Sequence, residues 1–435
     1  MKDETGLVRN TMRPRTLNPL RRWGVVFLGL TGITAAYAAE RFEAAALVDS
    51  FDFACIEDRK GGHLFDTETA QGNVALLDHV LLTGASTILW RNCSGATLRY
   101  QSKEEYTPWV QTPLDKRRLP DSRPVYGWLR YNEAEPDILR HILGVCHVRG
   151  LRAGVHWPFE ETHWANWTFG AWNFEHPHYW GVTAKGQIWA GRCSLAYPEV
   201  VAHKLRLADE LLERGTDHLF IDTWRIGGWS PAYEYVAPER ARWKARYSCE
   251  PPPDPMDPRW CAFVSETTHA GFVALRKRLD ASGRKVRLMV GIPEADVASG
   301  KPDVTLLTRG VDWQRLVRED VIDTLVVMNV NWDVSRPFES TREIYRSVLT
   351  ICSGHCEVLF PVSEYNYSRK GIPEYQKVTR LPLDKIAVAL LKIAWEEGAD
   401  GICMECVDYN NYPAKTRTEL RAVLEGACRF KRDPR

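Results

Sequence analysis

Eight short apolar runs, separated by seven amphipathic stretches, constrain this chain more than any other feature of its sequence. The runs fall at 46–51, 86–92, 151–157, 219–222, 286–292, 324–329, 357–362 and 401–405. Each has the length and bulk of a strand buried on both faces. Stretches at 73–83, 133–150, 197–215, 262–280, 311–319, 340–353 and 384–397 place apolar residues at helical spacing, several closing on a glycine such as Gly84, Gly215 or Gly398. Strict strand–helix alternation predicts a parallel sheet. No glycine-rich dinucleotide fingerprint follows any run, so the expected fold class is α/β, a closed (β/α)8 TIM barrel rather than an open doubly wound sheet. Three long excursions, 94–131, 158–194 and 227–258, interrupt the alternation and are expected as irregular loops over the carboxyl-terminal face.

The fourth run shows why that face matters. Pro198 and Glu199 open a helix that Gly215 stops, and Leu219-Phe220-Ile221 then ends abruptly in Asp222-Thr223-Trp224-Arg225. In a barrel, charge at the carboxyl end of a strand belongs to the active site.

A single catalytic domain is expected over 39–430, with a polar tail at 431–435 and a cleaved signal peptide at 1–38. Arg13, Arg15, Arg21 and Arg22 precede an apolar stretch from Trp23 to about Ala36, and Ala36-Tyr37-Ala38 supplies the small-x-small pattern. That stretch is shorter than the roughly 20 residues a bilayer span needs. Secretion or export to the periplasm follows, with no membrane span after cleavage. The 57 Lys and Arg nearly balance the 56 Asp and Glu, so there is no basic stripe for nucleic acid. Eleven cysteines are an odd count for an exported chain; Cys352 and Cys356 are spaced for a short-range disulfide, and Cys403 and Cys406 lie in a strand without a second metal-binding pair.

The aromatic content points to the ligand. Eight of the 17 Trp fall between Trp157 and Trp229, and indoles suit the apolar C–H faces of pyranose rings. Reading the residue at or just past each strand end assembles the expected mouth: Asn92, His156 with Trp157, Asp222 with Trp224 and Arg225, Glu294, Asn329 with Asn331 and Trp332, Glu364 with Tyr365, and Glu405 with Asp408. Bringing several carboxylates together costs repulsion and desolvation, which a ligand-free barrel has no reason to bear. Glycoside hydrolysis does need two, one ionised and one protonated. Asp222 is the first choice for one. Glu294, on the next strand, is preferred for the other, with Glu364 and Glu405 competing. Trp157, Trp164, Trp172 and Trp224 are expected to stack on sugar faces. No cofactor is expected, and no metal, although His156, His163, His176 and His178 motivate a metal-dependent hydrolase as a rival. The other rival is a barrel that binds carbohydrate without cutting it.

The run from Ser194 to Val200, its helix, and Phe220-Ile221-Asp222-Thr223-Trp224-Arg225 resemble the glycosyl hydrolase-like barrels of exported bacterial proteins known as family 10, where a Pro-x-Val helix leads into a strand ending Asp-x-x-Arg. Residues 312–329 and 396–402 are similar to later units of that family, and the likeness runs from about Thr87 to Tyr409. The resemblance implies the same barrel, a polysaccharide or peptidoglycan-type substrate, and roles for Asp222 and Arg225.

Overall fold

A computed structural model describes residues 42–48, 70–94, 97–98, 100, 102–104, 137–157, 159, 171–223, 231–293, 310–328, 338–362, 385–405 and 414–429. Contacts divide the chain after Glu40, and Arg41–Arg435 forms one unit.

Eight parallel strands close into a barrel: β1 (Glu43–Val48), β2 (Thr87–Arg91), β3 (Arg152–Trp157), β4 (His218–Asp222), β5 (Arg287–Pro293), β6 (Thr324–Met328), β7 (Glu357–Val362) and β8 (Gly401–Glu405). Closure is made by Glu43 of β1 pairing with Gly401 of β8. A helix follows each strand: α1 (Ala70–Leu81), α2 (Ile138–Val148), α3 (Pro198–Glu213), α4 (Pro258–Ala281), α5 (Trp313–Arg318), α6 (Phe338–Cys352), α7 (Ile386–Glu396) and α8 (Ala414–Arg429). The expected (β/α)8 class is therefore the observed one.

The pleat sends alternate residues to opposite sides of the barrel wall. Val155, Leu219, Ile221, Leu288 and Val290 face outward into the core shared with the helices, whereas Ala45, Leu89, Phe220, Met289, Val326, Leu359 and Cys403 fill the interior. Phe220 fits because β5 offers a glycine beside it: a Cβ on Gly291 would lie 2.7 Å from the Phe220 ring. Below this apolar middle, the amino-terminal end is sealed by charge. Glu43, only 3% exposed, accepts from Thr87 at 2.6 Å and Arg287 at 3.0 Å, and Arg287 also donates to Thr324 and Glu357.

Several boundaries differ from the sequence expectation. The first strand begins at Glu43 and not at 46, because the buried glutamate is matched by Arg287 and so belongs to the wall. Residues 158–194 are not wholly irregular: they contain a short helix (Ala171–Glu175), a 3-10 turn (Pro177–Tyr179) and an antiparallel hairpin of Trp180–Val182 with Ile188–Cys193. The excursion after β4 holds a helix at Ala237–Tyr247, whose polar composition hides it because it buries only Glu239 and Trp243. The helix α8 had no counterpart in the sequence reading. Cys352 and Cys356 are free thiols, not a disulfide.

Candidate active site

Three neighbouring strands bring a polar set to the carboxyl-terminal end of the barrel interior. Arg91 is the last residue of β2, and its register partner on β3 is His156. His156 shares its side of β3 with Gly154, where an added Cβ would strike His218 and Leu89. Asp222 is the last residue of β4, two positions beyond Phe220, the register partner of His156. That offset lifts the carboxylate above the Phe220 ring, and His156 meets it: Nε2 lies 2.9 Å from Asp222 Oδ2. Arg91, His156 and Asp222 have no exposed surface.

Burial pushes the His156 pKa down to about 4, and the nearby Arg91 cation pushes the same way, against the opposing pull of Asp222. The imidazole is therefore neutral near pH 7. When a neutral ring donates its Nε2–H to the facing carboxyl group, Nδ1 is left as the acceptor. Among the described residues Nδ1 has no hydrogen-bond partner, and the ring lies 5.3 Å from that of Phe220. Beyond Asp222 the chain is pinned at once: Thr223 donates its hydroxyl at 2.5 Å and its N–H at 3.3 Å to the Gly291 carbonyl.

The other expected residues divide into three groups. Asn92 is buried; its N–H donates to the His156 carbonyl at 3.2 Å, and among the described residues its side-chain amide has no partner. Trp157 does not offer a ring to a sugar. It is 2% exposed, sits edge-on to Phe159 at 5.1 Å, and belongs to the core between strands and helices, because it follows the inward-facing His156 and so points outward. Glu405 ends β8, in register with Leu47, and its side chain lies outside the described residues. Trp224, Arg225, Glu294, Asn329, Asn331, Trp332, Glu364, Tyr365 and Asp408 also lie outside them, as do Trp164 and His163. The expected Arg225 contact to Asp222 thus falls outside the description, and the partner observed is His156.

Trp172 is likewise occupied, its ring stacked with His203 at 4.0 Å and with His176 at 4.4 Å. His176 turns its Nδ1 to the Trp172 carbonyl at 2.8 Å. Among the described residues no group of three His, Cys, Asp or Glu is placed to hold a metal ion. Arg91 is the site residue that sequence reasoning missed. Its signal was a cation ending an apolar strand on the same alternating set as Thr87 and Leu89, which marks it as inward-facing.

No family model matches the chain, and no curated protein matches it. The resemblance to family 10 has no such match behind it. Comparison with solved structures does find a shared fold, in the first of three glycoside-active proteins. A β-galactosidase from the psychrophilic Marinomonas ef1 superposes with a TM-score of 0.53 at 9% identity, over 88% of this chain and 59% of its own. An α-galactosidase from Thermus thermophilus, in complex with p-nitrophenyl α-D-galactopyranoside, gives 0.42 at 13% identity over 89% and 62%. A cyclic α-maltosyl-(1→6)-maltose hydrolase from Arthrobacter globiformis gives 0.45 at 11% over 89% and 82%. All three neighbours are glycoside hydrolases, and at 9% identity the likeness to the Marinomonas enzyme is one of fold alone. The chain spans less than two thirds of the length of either galactosidase.

Proposed function

We propose that this chain is a glycoside hydrolase acting on an oligo- or polysaccharide, with Asp222 as one of its two carboxylates. The observation that carries the reading is the buried Asp222–His156 pair at the carboxyl ends of β4 and β3. A carboxylate held there by a neutral imidazole donor, with the Arg91 cation nearby, is suited to the ionised role: stabilising positive charge at the anomeric carbon or bonding to it. The protonated role then falls to a second carboxyl group. Glu294 is preferred because it lies three residues beyond Gly291, the register partner of Asp222 on the adjacent strand; Glu364 and Glu405 are the competitors. In the reaction the glycosidic C–O bond breaks, the leaving oxygen takes the acid's proton, and water supplies hydroxide to the anomeric carbon and a proton back to the acid. Asn92, Trp224, Arg225, Asn329, Asn331, Trp332, Tyr365 and Asp408 are assigned to sugar binding in this reading. Fold likeness to a β-galactosidase supports placing galactosides in the first substrate panel.

The test is sugar release by the chain beginning at Ala39 from galactosides, glucans and peptidoglycan, alongside Asp222→Asn, Glu294→Gln, Glu364→Gln and Glu405→Gln. Cleavage by the wild type that is lost in Asp222→Asn supports the reading, and the glutamate variant that fails with it names the acid. The complete burial of Asp222 supports one rival, a barrel that binds glycan without cutting it. Glycan binding with no cleavage by any preparation would establish that rival. Export is part of the proposal, and sequencing the amino terminus of the periplasmic or secreted protein checks it by finding Ala39 first.

A further inference from the structure

The two insertions that follow β3 and β4, the strands carrying His156 and Asp222, are joined to each other by a buried carboxylate. Glu234, in the second insertion, is 3% exposed, and its two oxygens are taken by side chains of the first: Arg192 Nη2 at 2.5 Å and Ser194 Oγ at 2.5 Å. Arg192 is itself 2% exposed. Backbone pairing runs alongside, with Val182 bridging to Glu234 and the Tyr235 N–H donating to the Val182 carbonyl at 2.9 Å. Trp189 and Tyr233 stack at 4.4 Å, and Gly181 sits so close to Tyr233 that a Cβ would lie 3.0 Å from its carbonyl oxygen.

This assembly has an apolar cluster of its own. Tyr235, Trp243, Trp260, Phe263 and Val264 pack together apart from the barrel core, and Trp260 of α4 donates its indole N–H to the Pro231 carbonyl at 3.0 Å. A barrel needs none of this to close, since its sheet and helices already bury their faces. A buried ion pair also costs desolvation and is weak evidence for a stabilising role by itself. Its value lies in specifying one arrangement of two chain segments that are far apart in sequence.

We propose that the two insertions form one substrate-positioning lobe and that Glu234 is the positioning residue that locks it. The proposal rests on the glycoside reading of Asp222 and adds to it that the lobe sets which sugar residues beyond the cleaved bond are held. Glu234 has no part in the bond-breaking step. Its loss therefore moves KM for extended substrates and leaves the chemistry on small ones alone.

Hydrogen exchange and kinetics on the mature chain test this together. In Glu234→Gln, amide exchange is expected to rise about tenfold or more in both 180–193 and 231–236, while β3 and β4 keep wild-type rates. Ser194→Ala, which keeps the ion pair, moves the same peptides by a smaller factor and serves if Glu234→Gln does not fold. On a glycan that the wild type cleaves, KM for the longer oligosaccharide rises about tenfold with kcat unchanged, and the aryl glycoside of a single sugar shows neither change. Faster exchange in only one insertion overturns the single lobe. A loosened lobe with unchanged KM for long and short substrates overturns the positioning role. A wild type that neither cuts nor binds glycan removes that role along with the glycoside reading, while exchange still decides the lock.

Discussion

His156 Nε2 lies 2.9 Å from Asp222 Oδ2, and neither side chain has any exposed surface. His156 is the donor to Asp222 observed among the described residues, and removing it takes away part of what holds a buried carboxylate in place. His156→Ala is expected to lower kcat by roughly a hundredfold or more and to destabilise the fold by about 3 kcal/mol. In the glycoside hydrolase reading Asp222→Asn is expected to keep the shape and abolish turnover while the melting temperature changes little. Kinetics and thermal melts of the two variants separate the roles, and an active Asp222→Asn would remove Asp222 from the chemistry.

Acid should destabilise the protein through its buried histidines. His156 and His218 both have pKa values lowered by burial from 6.5 to about 4. Between those values the unfolded chain takes up protons that the folded chain refuses, so stability is present above pH 6.5 and falls as pH drops toward 4. The loss is on the order of 3 kcal/mol for each group. Glu43, held low by Arg287 and Arg152 despite its burial, adds its own loss below its ordinary value of 4.5. Melting temperature measured from pH 8 to pH 4 should fall across this window, and His218→Gln should flatten the slope. An unchanged slope in that variant would contradict the assignment.

Arg287 seals the end of the barrel opposite Asp222. Arg287→Met leaves the buried Glu43 without its main cation, at a cost of roughly 3–5 kcal/mol, and Arg287→Met with Glu43→Gln should recover a large part of it. Urea unfolding of the single and double variants measures this. Specific activity per folded molecule should match the wild type, since the two residues stand at the amino-terminal ends of β5 and β1.

Gly291 is required by the Met328 sulfur and the Phe220 ring beside it. Gly291→Ala drives a methyl into Phe220 and Met328 and is expected to cost about 1–3 kcal/mol. Phe220→Leu in the same chain should relieve the ring's part of the clash while the flexible Met328 side chain shifts, so a coupling of zero between the two substitutions would show that the ring does not exclude the methyl.

Trp157 is a core residue rather than a sugar platform. Trp157→Ala should destabilise by roughly 3–5 kcal/mol while the folded fraction binds glycan as the wild type does. Calorimetry paired with a binding titration distinguishes this from a ring that touches ligand, which would lose affinity without losing stability.

The site was legible in the sequence to the extent that strand ends were legible. Asp222 and His156 were singled out because each stands at or next to the end of an apolar run, and run length is a local property. The same reading placed Trp157 at the ligand because it follows His156, although the period of two turns neighbours to opposite faces. Arg91 was passed over for Asn92 for the same reason, since choosing between adjacent residues requires knowing which face of the wall is inside. Glu234 carried no signal at all: its partners are about forty residues away, and a lone acid in a Pro-rich stretch looks like any solvated loop residue.

The alternation of eight buried runs with seven amphipathic stretches was enough to determine the barrel, because each element must bury one face and parallel strands joined by helices have few ways to do so. Only the tertiary structure decided that the fourth strand's carboxylate meets the third strand's imidazole, that Arg287 of the fifth strand neutralises Glu43 of the first, and that two separate insertions share one ion pair. Each of these depends on register and stagger between strands, which arise when the sheet closes and which no local stretch of the chain encodes alone.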